Sequence, residues 1–485
     1  MRSRCILWLI AALIGTSTPG SAQNSVPTEQ SPIEKRVDQI VQQIVSPDQP
    51  GCTIAAFKNG QLAFAKGYGL ANLDHDIPNS PETVFRIASV SKHVTAACML
   101  LLEDDDLVDL DADIREYLPK LPDYGHKITI RHLLHHTSGL REYSYLMMMC
   151  DIDDSDNWEK EDALDMIFRQ RGLDFIPGEK YSYCNSGYFL CSIICERVTG
   201  KSLREFADLK IFKPLKMLHT HFHDESTEVV KKRANGYSPD EAGKYHLDET
   251  GLDQVGDGGI YTTIADFGIW TSALIQDTWK PGLLKRMLSK FTLNGLPSQP
   301  GEELTYRFGI DESSYRSYRT LSHGGAWVGY RSQMWILPDE GWVFLCFANR
   351  SDFNPRRVLR QVSEVIAADL FEDATEMTRE NWRGRNRVEE NAPEYRSNEN
   401  PNDFIGLYYS EELQVTWLLQ NRSGELTMVN WGDDYPLKLT KDDRLVGKPA
   451  WLKLKIHRDS EKNVRNLEFG TGVPTGIMFK RYSEN

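Results

Sequence analysis

The spacing of apolar residues divides the chain up to residue 372 into helices and strands. Apolar positions recur at helical spacing over 33–45, 88–103, 158–171, 186–199 and 358–371. Short apolar runs, some of them joined by turn pairs such as Asn59-Gly60, predict strands over 52–58, 61–71, 315–322, 330–337 and 342–348. Strands thus lie at both ends of this region and helices fill its middle. We therefore expect an α+β fold, with one antiparallel sheet flanked by helices and an all-helical region.

The pattern changes after residue 372. Over 373–401 Glu, Arg and Asn dominate, which predicts a polar linker. From 402 to 485 short alternating strands return, separated by turn pairs such as Ser423-Gly424, and they predict a small antiparallel β-barrel of the lipocalin-like kind. The expected organisation is a larger domain at 23–372, the linker, and a C-terminal barrel at 402–485.

The first residues have the pattern of a secretory signal. Arg2 and Arg4 precede an apolar core over 5–14 that is too short to span a bilayer, and Gly20-Ser21-Ala22 offers small residues for cleavage. We expect residues 1–22 to be removed and the mature chain to be periplasmic or secreted. No later segment has the length and apolar character of a membrane span.

Charge and cysteine content narrow the functional classes. The formal net charge of the 485 residues is −14, which argues against nucleic acid or anionic lipid as the main partner. Of 8 cysteines, Cys5 lies in the predicted signal, and the others lie mostly in apolar runs. We expect them to be buried small side chains, although the sequence leaves a single disulfide open.

Ser89 and Lys92 are the first candidate catalytic pair. They stand three residues apart at the start of a predicted helix, so both side chains lie on one face. A serine becomes a nucleophile when a base accepts its proton. A lysine can be that base when burial or nearby positive charge lowers its pKa. A serine and a lysine at this spacing often occur by chance, so the pair indicates a catalytic site only if partner motifs follow.

Two such motifs follow. Tyr183-Cys184-Asn185 precedes the predicted helix at 186–199, and His323-Gly324-Gly325 lies near a predicted strand, with Ala326 next. In this order the three motifs resemble the serine β-lactamase and penicillin-binding-protein superfamily, in its class C-like, S12 serine peptidase branch. The resemblance covers about residues 33–372 and implies a β-lactamase/DD-peptidase-like fold.

The resemblance assigns a role to each motif residue. Ser89 would attack a carbonyl and form an acyl-enzyme, and Lys92 and Tyr183 would transfer protons. Asn185 would orient Lys92 and the substrate, while the backbone N–H groups of Ser89 and Ala326 would form the oxyanion hole. Gly324 and Gly325 would let substrate lie against their strand. Lys92 and a protonated His323 are expected to lower the pKa of Tyr183.

Within the superfamily, the residues of these motifs are similar to those of bacterial D-aminopeptidases. Those enzymes carry two barrels and a long loop toward the active site, whereas this chain has length for one barrel, and 445–452 is too short for such a loop. We expect small peptides, amides or esters that contain a D-amino acid, or peptidoglycan fragments, as substrates, and no cofactor. D-Ala-D-Ala carboxypeptidase, esterase, β-lactamase and a non-catalytic penicillin or peptidoglycan sensor remain alternatives, and the oligomeric state stays open.

Two further patterns are interpreted as structural. His219, His221 and His223 alternate and would point one way on a strand, which suits zinc or copper. The sequence places no carboxylate beside them, so we interpret them as a polar connector and predict no metal site. Residues 256–259, which are rich in glycine, lack the lysine of a phosphate-binding loop and are interpreted as a tight turn.

Overall fold

The structure is a computed structural model. It describes residues 30–152, 156, 158–294, 304–371, 395, 400–430, 433–447, 452–470 and 474–482. The predicted signal peptide and most of the predicted linker lie outside the described residues, so the signal stays a prediction, as do the proposed domain boundaries. Within the described part, no helix is both long enough and apolar enough to cross a bilayer.

A six-stranded antiparallel sheet forms the centre of the larger domain. Its strands, in spatial order, are β10 (Asp311–Tyr315), β11 (Tyr318–Trp327), β12 (Tyr330–Leu337), β13 (Trp342–Ala348), β1 (Cys52–Lys58) and β2 (Gln61–Tyr68). Strands from both ends of the domain meet at the β1–β13 pair, where Ile54 faces Cys346. The predicted antiparallel sheet is confirmed.

Helices cover both faces of this sheet. The helices of the described residues are α1 (Pro32–Val41), α2 (Lys92–Asp104), α3 (Ile130–Leu134), α4 (Tyr143–Met149), α5 (Lys160–Phe168), α6 (Asn185–Thr199), α7 (Leu203–Ala207), α8 (Ile264–Ile275), α9 (Leu283–Met287), α10 (Pro355–Ile366) and α11 (Ala368–Phe371). α1 and α10 lie on one face of the sheet and α8 on the other, while α3 to α7 form a helical region beside it. Because strand side chains alternate between faces, Cys52, Ile54 and Ala56 pack toward α1 and α10. Ala55 and Phe57 belong to the core on the opposite face.

Smaller sheets connect the helices. They are β3 (Leu70–Asn72) with β4 (Ile77–Pro78), β5 (Val84–Arg86) with β9 (Ile260–Thr263) and β6 (His221–Phe222), and β7 (Tyr237–Pro239) with β8 (Tyr245–Leu247). In the second of these sheets β9 is the central strand, and β5 leads directly into the turn that carries Ser89.

The C-terminal strands close into an antiparallel barrel. They are β14 (Gly406–Ser410), β15 (Val415–Arg422), β16 (Glu425–Asn430), β17 (Asp433–Leu439), β18 (Arg444–Gly447), β19 (Lys453–Arg458), β20 (Val464–Phe469) and β21 (Ile477–Arg481). The predicted barrel is confirmed. The sequence pattern misses β17 and β18, because β17 is rich in charged residues and interrupted by Pro436, and β18 is short.

The barrel is packed against the helical region by the hairpin between β14 and β15. Glu412 in this hairpin forms a buried ion pair with Arg141, at 2.5 Å, and accepts a hydrogen bond from the backbone N–H of Arg171 at 2.7 Å. Trp417 of β15 donates its indole N–H to the carbonyl of Met149. The apolar core on this side of the sheet therefore continues into the barrel.

Candidate active site

Ser89 lies in a strained turn between β5 and α2. The predicted helix at 88–103 begins as a 3-10 turn over Ala88–Ser91, and the α-helix starts at Lys92. Ala88 adopts a left-handed backbone with φ 47°, which costs a non-glycine residue roughly 1–2 kcal/mol. Two hydrogen bonds hold the turn: Ser332 Oγ donates to the Ile87 carbonyl at 2.6 Å, and Ser91 Oγ donates to the Ala88 carbonyl at 2.6 Å. Ser89 is thus fixed by its scaffold.

Lys92 connects the first two motifs. Its side chain is fully buried, and its Nζ donates to Ser89 Oγ at 3.1 Å, to Asn185 Oδ1 at 2.7 Å and to the Asp257 carbonyl at 2.5 Å. Burial lowers the pKa of Lys92 to about 8, although the nearby carboxylates of Asp257 and Glu142 oppose this change. A neutral amine that can accept the serine proton is therefore accessible near neutral pH.

Tyr183 and Asn185 reach the site from the start of α6. The backbone N–H of Asn185 donates to Glu142 Oε2, which fixes the first residue of this helix. Lys92 Nζ lies 4.8 Å from the centre of the Tyr183 ring. The structure thus brings all residues of the first two motifs together.

The charge state of the third motif differs from the expectation. Burial, together with the charge on Lys92, lowers the pKa of His323 to about 3, so this histidine is neutral. Its Nε2 lies 3.0 Å from the Tyr306 hydroxyl. Burial also raises the pKa of Tyr183, although 37% of that residue remains exposed. The expected lowering of the Tyr183 pKa by a protonated His323 is wrong, because His323 is neutral and the desolvation of Tyr183 outweighs its hydrogen bond with Ser89, so the phenol stays protonated.

The two glycines of the third motif have different surroundings. A Cβ on Gly325 would lie 2.2 Å from Ser332 Oγ and 2.3 Å from the Ile87 carbonyl oxygen, so Gly325 lets β11 pack against the turn of Ser89. A Cβ on Gly324 would meet its nearest atom, Gln333 Oε1, only at 3.3 Å. The close approach at Gly325 also places the next residue, Ala326, beside this turn at the cavity wall. Gly324 is exposed at the cavity wall, where substrate is expected, whereas Gly325 is buried.

A cavity of about 540 Å³ opens over Ser89, a size typical of small-molecule sites. Its wall includes Tyr183, Asn185 and residues 323–326, so seven of the eight predicted site residues line it and the eighth, Lys92, lies behind them. Among the described residues, the side chains that could hold a metal ion together lie outside this cavity.

Three charged residues at this site lie outside the predicted motifs. Asp257, in the segment interpreted as a plain turn, accepts a hydrogen bond from the Tyr143 hydroxyl at 2.9 Å and faces the cavity. Glu142 is buried and holds Asn185. Arg86 lines the cavity and is 4% exposed, and its Nε and Nη1 have no hydrogen-bond partner within the described part of the chain. The only sequence signal for Arg86 was a single charged residue within the apolar segment before Ser89.

Comparisons with known proteins agree with this geometry. A family profile described as Beta-lactamase matches residues 37–368. Penicillin-binding protein 4* of Bacillus subtilis is 29% identical over 321 residues, covering 62% of this chain and 68% of that protein. A D-aminopeptidase of Cereibacter sphaeroides is 29% identical over 344 residues, covering 69% of this chain and 63% of that enzyme. This chain therefore spans less than two thirds of the length of that enzyme.

A solved structure supports the fold, including the barrel. The octameric penicillin-binding protein homologue from Pyrococcus abyssi superposes with a TM-score of 0.62 at 20% identity, covering 93% of this chain and 100% of that one. The resemblance inferred from the three motifs is confirmed, since the family match extends over more than half of the sequence. This chain belongs to the beta-lactamase family of serine hydrolases.

Proposed function

We propose that this protein is an exported serine hydrolase that acts through an acyl-enzyme on small peptides, amides or esters that contain a D-amino acid. The observation that carries the proposal is the buried Lys92 amine, 3.1 Å from Ser89 Oγ and held by Asn185. A nucleophile, a base and an orienting group in mutual contact are the minimum for acyl transfer.

The geometry supports a two-step reaction. Neutral Lys92 accepts the Ser89 proton while Ser89 Oγ attacks the substrate carbonyl, and the N–H groups of Ser89 and Ala326 stabilise the oxyanion. The protonated Tyr183 phenol donates to the leaving group and recovers a proton from Lys92. Water then attacks the acyl-enzyme and gives its proton to the same pair, which restores Ser89.

Stereochemistry is the finer part of the proposal. The D-aminopeptidase of Cereibacter sphaeroides supports D-amino acid substrates. Asp257 lines the cavity, where its carboxylate would attract a substrate ammonium group.

The test uses residues 23–485 and D-alanine p-nitroanilide, with L-alanine p-nitroanilide as the stereochemical control. We expect release of p-nitroaniline from the D-substrate, and its loss in Ser89→Ala with an unchanged circular dichroism spectrum. Full turnover by Ser89→Ala, or ligand uptake in equal molar amounts without product, would refute the proposed hydrolase; the second result would indicate a sensor. N-terminal sequencing of the exported protein, with Gln23 expected first, tests the localisation.

Arg86 favours a second candidate, a D-Ala-D-Ala carboxypeptidase. Arg86 lines the cavity, where a substrate carboxylate would pair with its guanidinium, and its Nε and Nη1 have no partner among the described residues. Under this candidate, an N-acetylated D-Ala-D-Ala peptide is hydrolysed, and Arg86→Gln raises its KM while leaving that of D-alanine p-nitroanilide unchanged. If Arg86→Gln affects both substrates equally, Arg86 has a structural role only.

A further inference from the structure

A compact group of metal-binding side chains lies at β6, in the three-stranded sheet next to the active site. His221 is the first residue of β6, and the backbone N–H of His223 donates to the Gly259 carbonyl at 2.8 Å. Both imidazoles pack on Tyr261 of β9, with ring centres 6.1 and 4.7 Å from the tyrosine ring. The two histidines are therefore held by backbone pairing and by ring contacts.

Glu228 completes the group from the following loop. His221 Nε2 lies 3.2 Å from His223 Nδ1, and His223 Nδ1 lies 3.7 Å from Glu228 Oε2. The ligand atoms of the three residues all lie within 4.8 Å of one another. Tetrahedral zinc with Zn–N bonds of about 2.0–2.1 Å places two nitrogen ligands about 3.3 Å apart. The separation of the two histidine nitrogens matches this value.

An arginine holds the carboxylate of this group in place. Arg204 pairs with Glu228 through Nη1 at 2.5 Å and Nη2 at 2.9 Å, and holds the pKa of that carboxyl below its usual value. Arg204 also contacts Asp224 at 3.1 Å, so two carboxylates surround one guanidinium.

We infer that His221, His223 and Glu228 form a zinc(II) site with a fourth position for water. Two imidazoles and one carboxylate are an established zinc ligand set, and Arg204 orients the carboxylate from behind. The ion would fasten the loop of Glu228 to β6 and, through β9 and β5, support the strand that leads to Ser89. The site lies outside the proposed catalytic cavity, so no step of the proposed hydrolysis passes through it.

The experiment uses chelator-treated residues 23–485 titrated with zinc chloride. We expect one zinc ion per chain by calorimetry and by elemental analysis, a higher melting temperature with zinc, and visible absorption typical of tetrahedral coordination when cobalt(II) replaces zinc. His223→Ala and Glu228→Gln are expected to lose these signals. His219→Ala is the matched control, because His219 belongs to the same alternating segment but is exposed and outside the group.

Two outcomes would overturn the site: wild-type protein that takes up no more zinc than His223→Ala, or a loss of zinc in His219→Ala as large as that in His223→Ala. Glu228→Gln keeps the size of the side chain, so it still tests the site if His223→Ala fails to fold. Ser89→Ala is expected to bind zinc as wild type does, so failure of the proposed hydrolase and failure of the zinc site are separate results.

Discussion

Lys92 determines the pH range of the proposed reaction. The reactive form of this residue is the neutral amine, and burial lowers its pKa from 10.5 to about 8. We expect kcat/KM to increase as the pH rises through about 8 and to level off above it, because the fraction of neutral amine grows with pH. The measurement is a rate profile on a hydrolysed substrate over roughly pH 6 to 10.

A variant separates this titration from other groups. Lys92→Arg keeps a positive charge that does not dissociate in this range, so we expect no activity at any pH. A wild-type profile that is flat through pH 8 would contradict Lys92 as the base, and activity in Lys92→Arg would do the same.

The glycines of the third motif give a matched pair. Gly325→Ala would place a methyl group 2.2 Å from Ser332 Oγ, so we expect a loss of about 1–3 kcal/mol in the free energy of unfolding and a large fall in kcat as the turn of Ser89 moves. Gly324→Ala would place a methyl group 3.3 Å from Gln333 Oε1, a contact that a small shift of that side chain relieves, so we expect a smaller loss of stability than in Gly325→Ala and a raised KM. Chemical denaturation and steady-state kinetics check both, and equal effects would contradict the assignment.

Sequence patterns predicted the motif residues but not the surrounding groups that set their positions and pKa values. Two recognisable sequence motifs contain Ser89, Lys92, Tyr183 and Asn185, and the structure brings these residues together. The sequence separation between His221 and Glu228 does not mark Glu228 as a possible metal ligand. The loop after His223 brings its carboxylate back beside the two histidines. Asp257 and Glu142 reach Lys92 only through tertiary packing, for the same reason. Burial, which decides the pKa of His323, is likewise a property of the whole fold.

Secondary structure was predictable where a single periodicity of apolar residues dominates a segment. β1, β12 and β13 have the predicted limits, because each is a short apolar run packed on both faces. The helix predicted at 358–371 begins earlier, at Pro355, where Asn354 caps its first turn, and is divided after Ile366. β10 was missed, because polar residues such as Asp311 and Ser313 conceal its alternation.

The hairpin between β14 and β15 holds the barrel through one buried charge pair. The Arg141 side chain is 3% exposed and that of Glu412 is 8% exposed. Glu412→Gln leaves Arg141 buried without its counter-ion, so we expect a loss of about 3–5 kcal/mol in the free energy of unfolding. The neighbouring Glu411 is the control, because it pairs at the surface with Arg171 and Lys480, and Glu411→Gln should change stability little.

Activity provides a second measurement on the same variants. Arg141 directly precedes Glu142, which holds the backbone of Asn185. We expect Glu412→Gln to lower kcat more than it raises KM, since a shifted Asn185 misplaces Lys92. Unchanged stability and kcat in Glu412→Gln would show that this pair does not couple the barrel to the site.

The larger domain and the barrel share one continuous apolar core and the Arg141–Glu412 pair, so we expect them to unfold together. Tryptophan fluorescence and near-ultraviolet circular dichroism should report a single denaturation midpoint, because opening the interface would expose that charge pair and the core around Met149 and Trp417. Glu412→Gln should broaden or split the transition, whereas Glu411→Gln should keep it single. Two well-separated transitions in the wild-type protein would mean that the barrel is an independent unit, and its contact with the helical region would then contribute little to the stability of the active site.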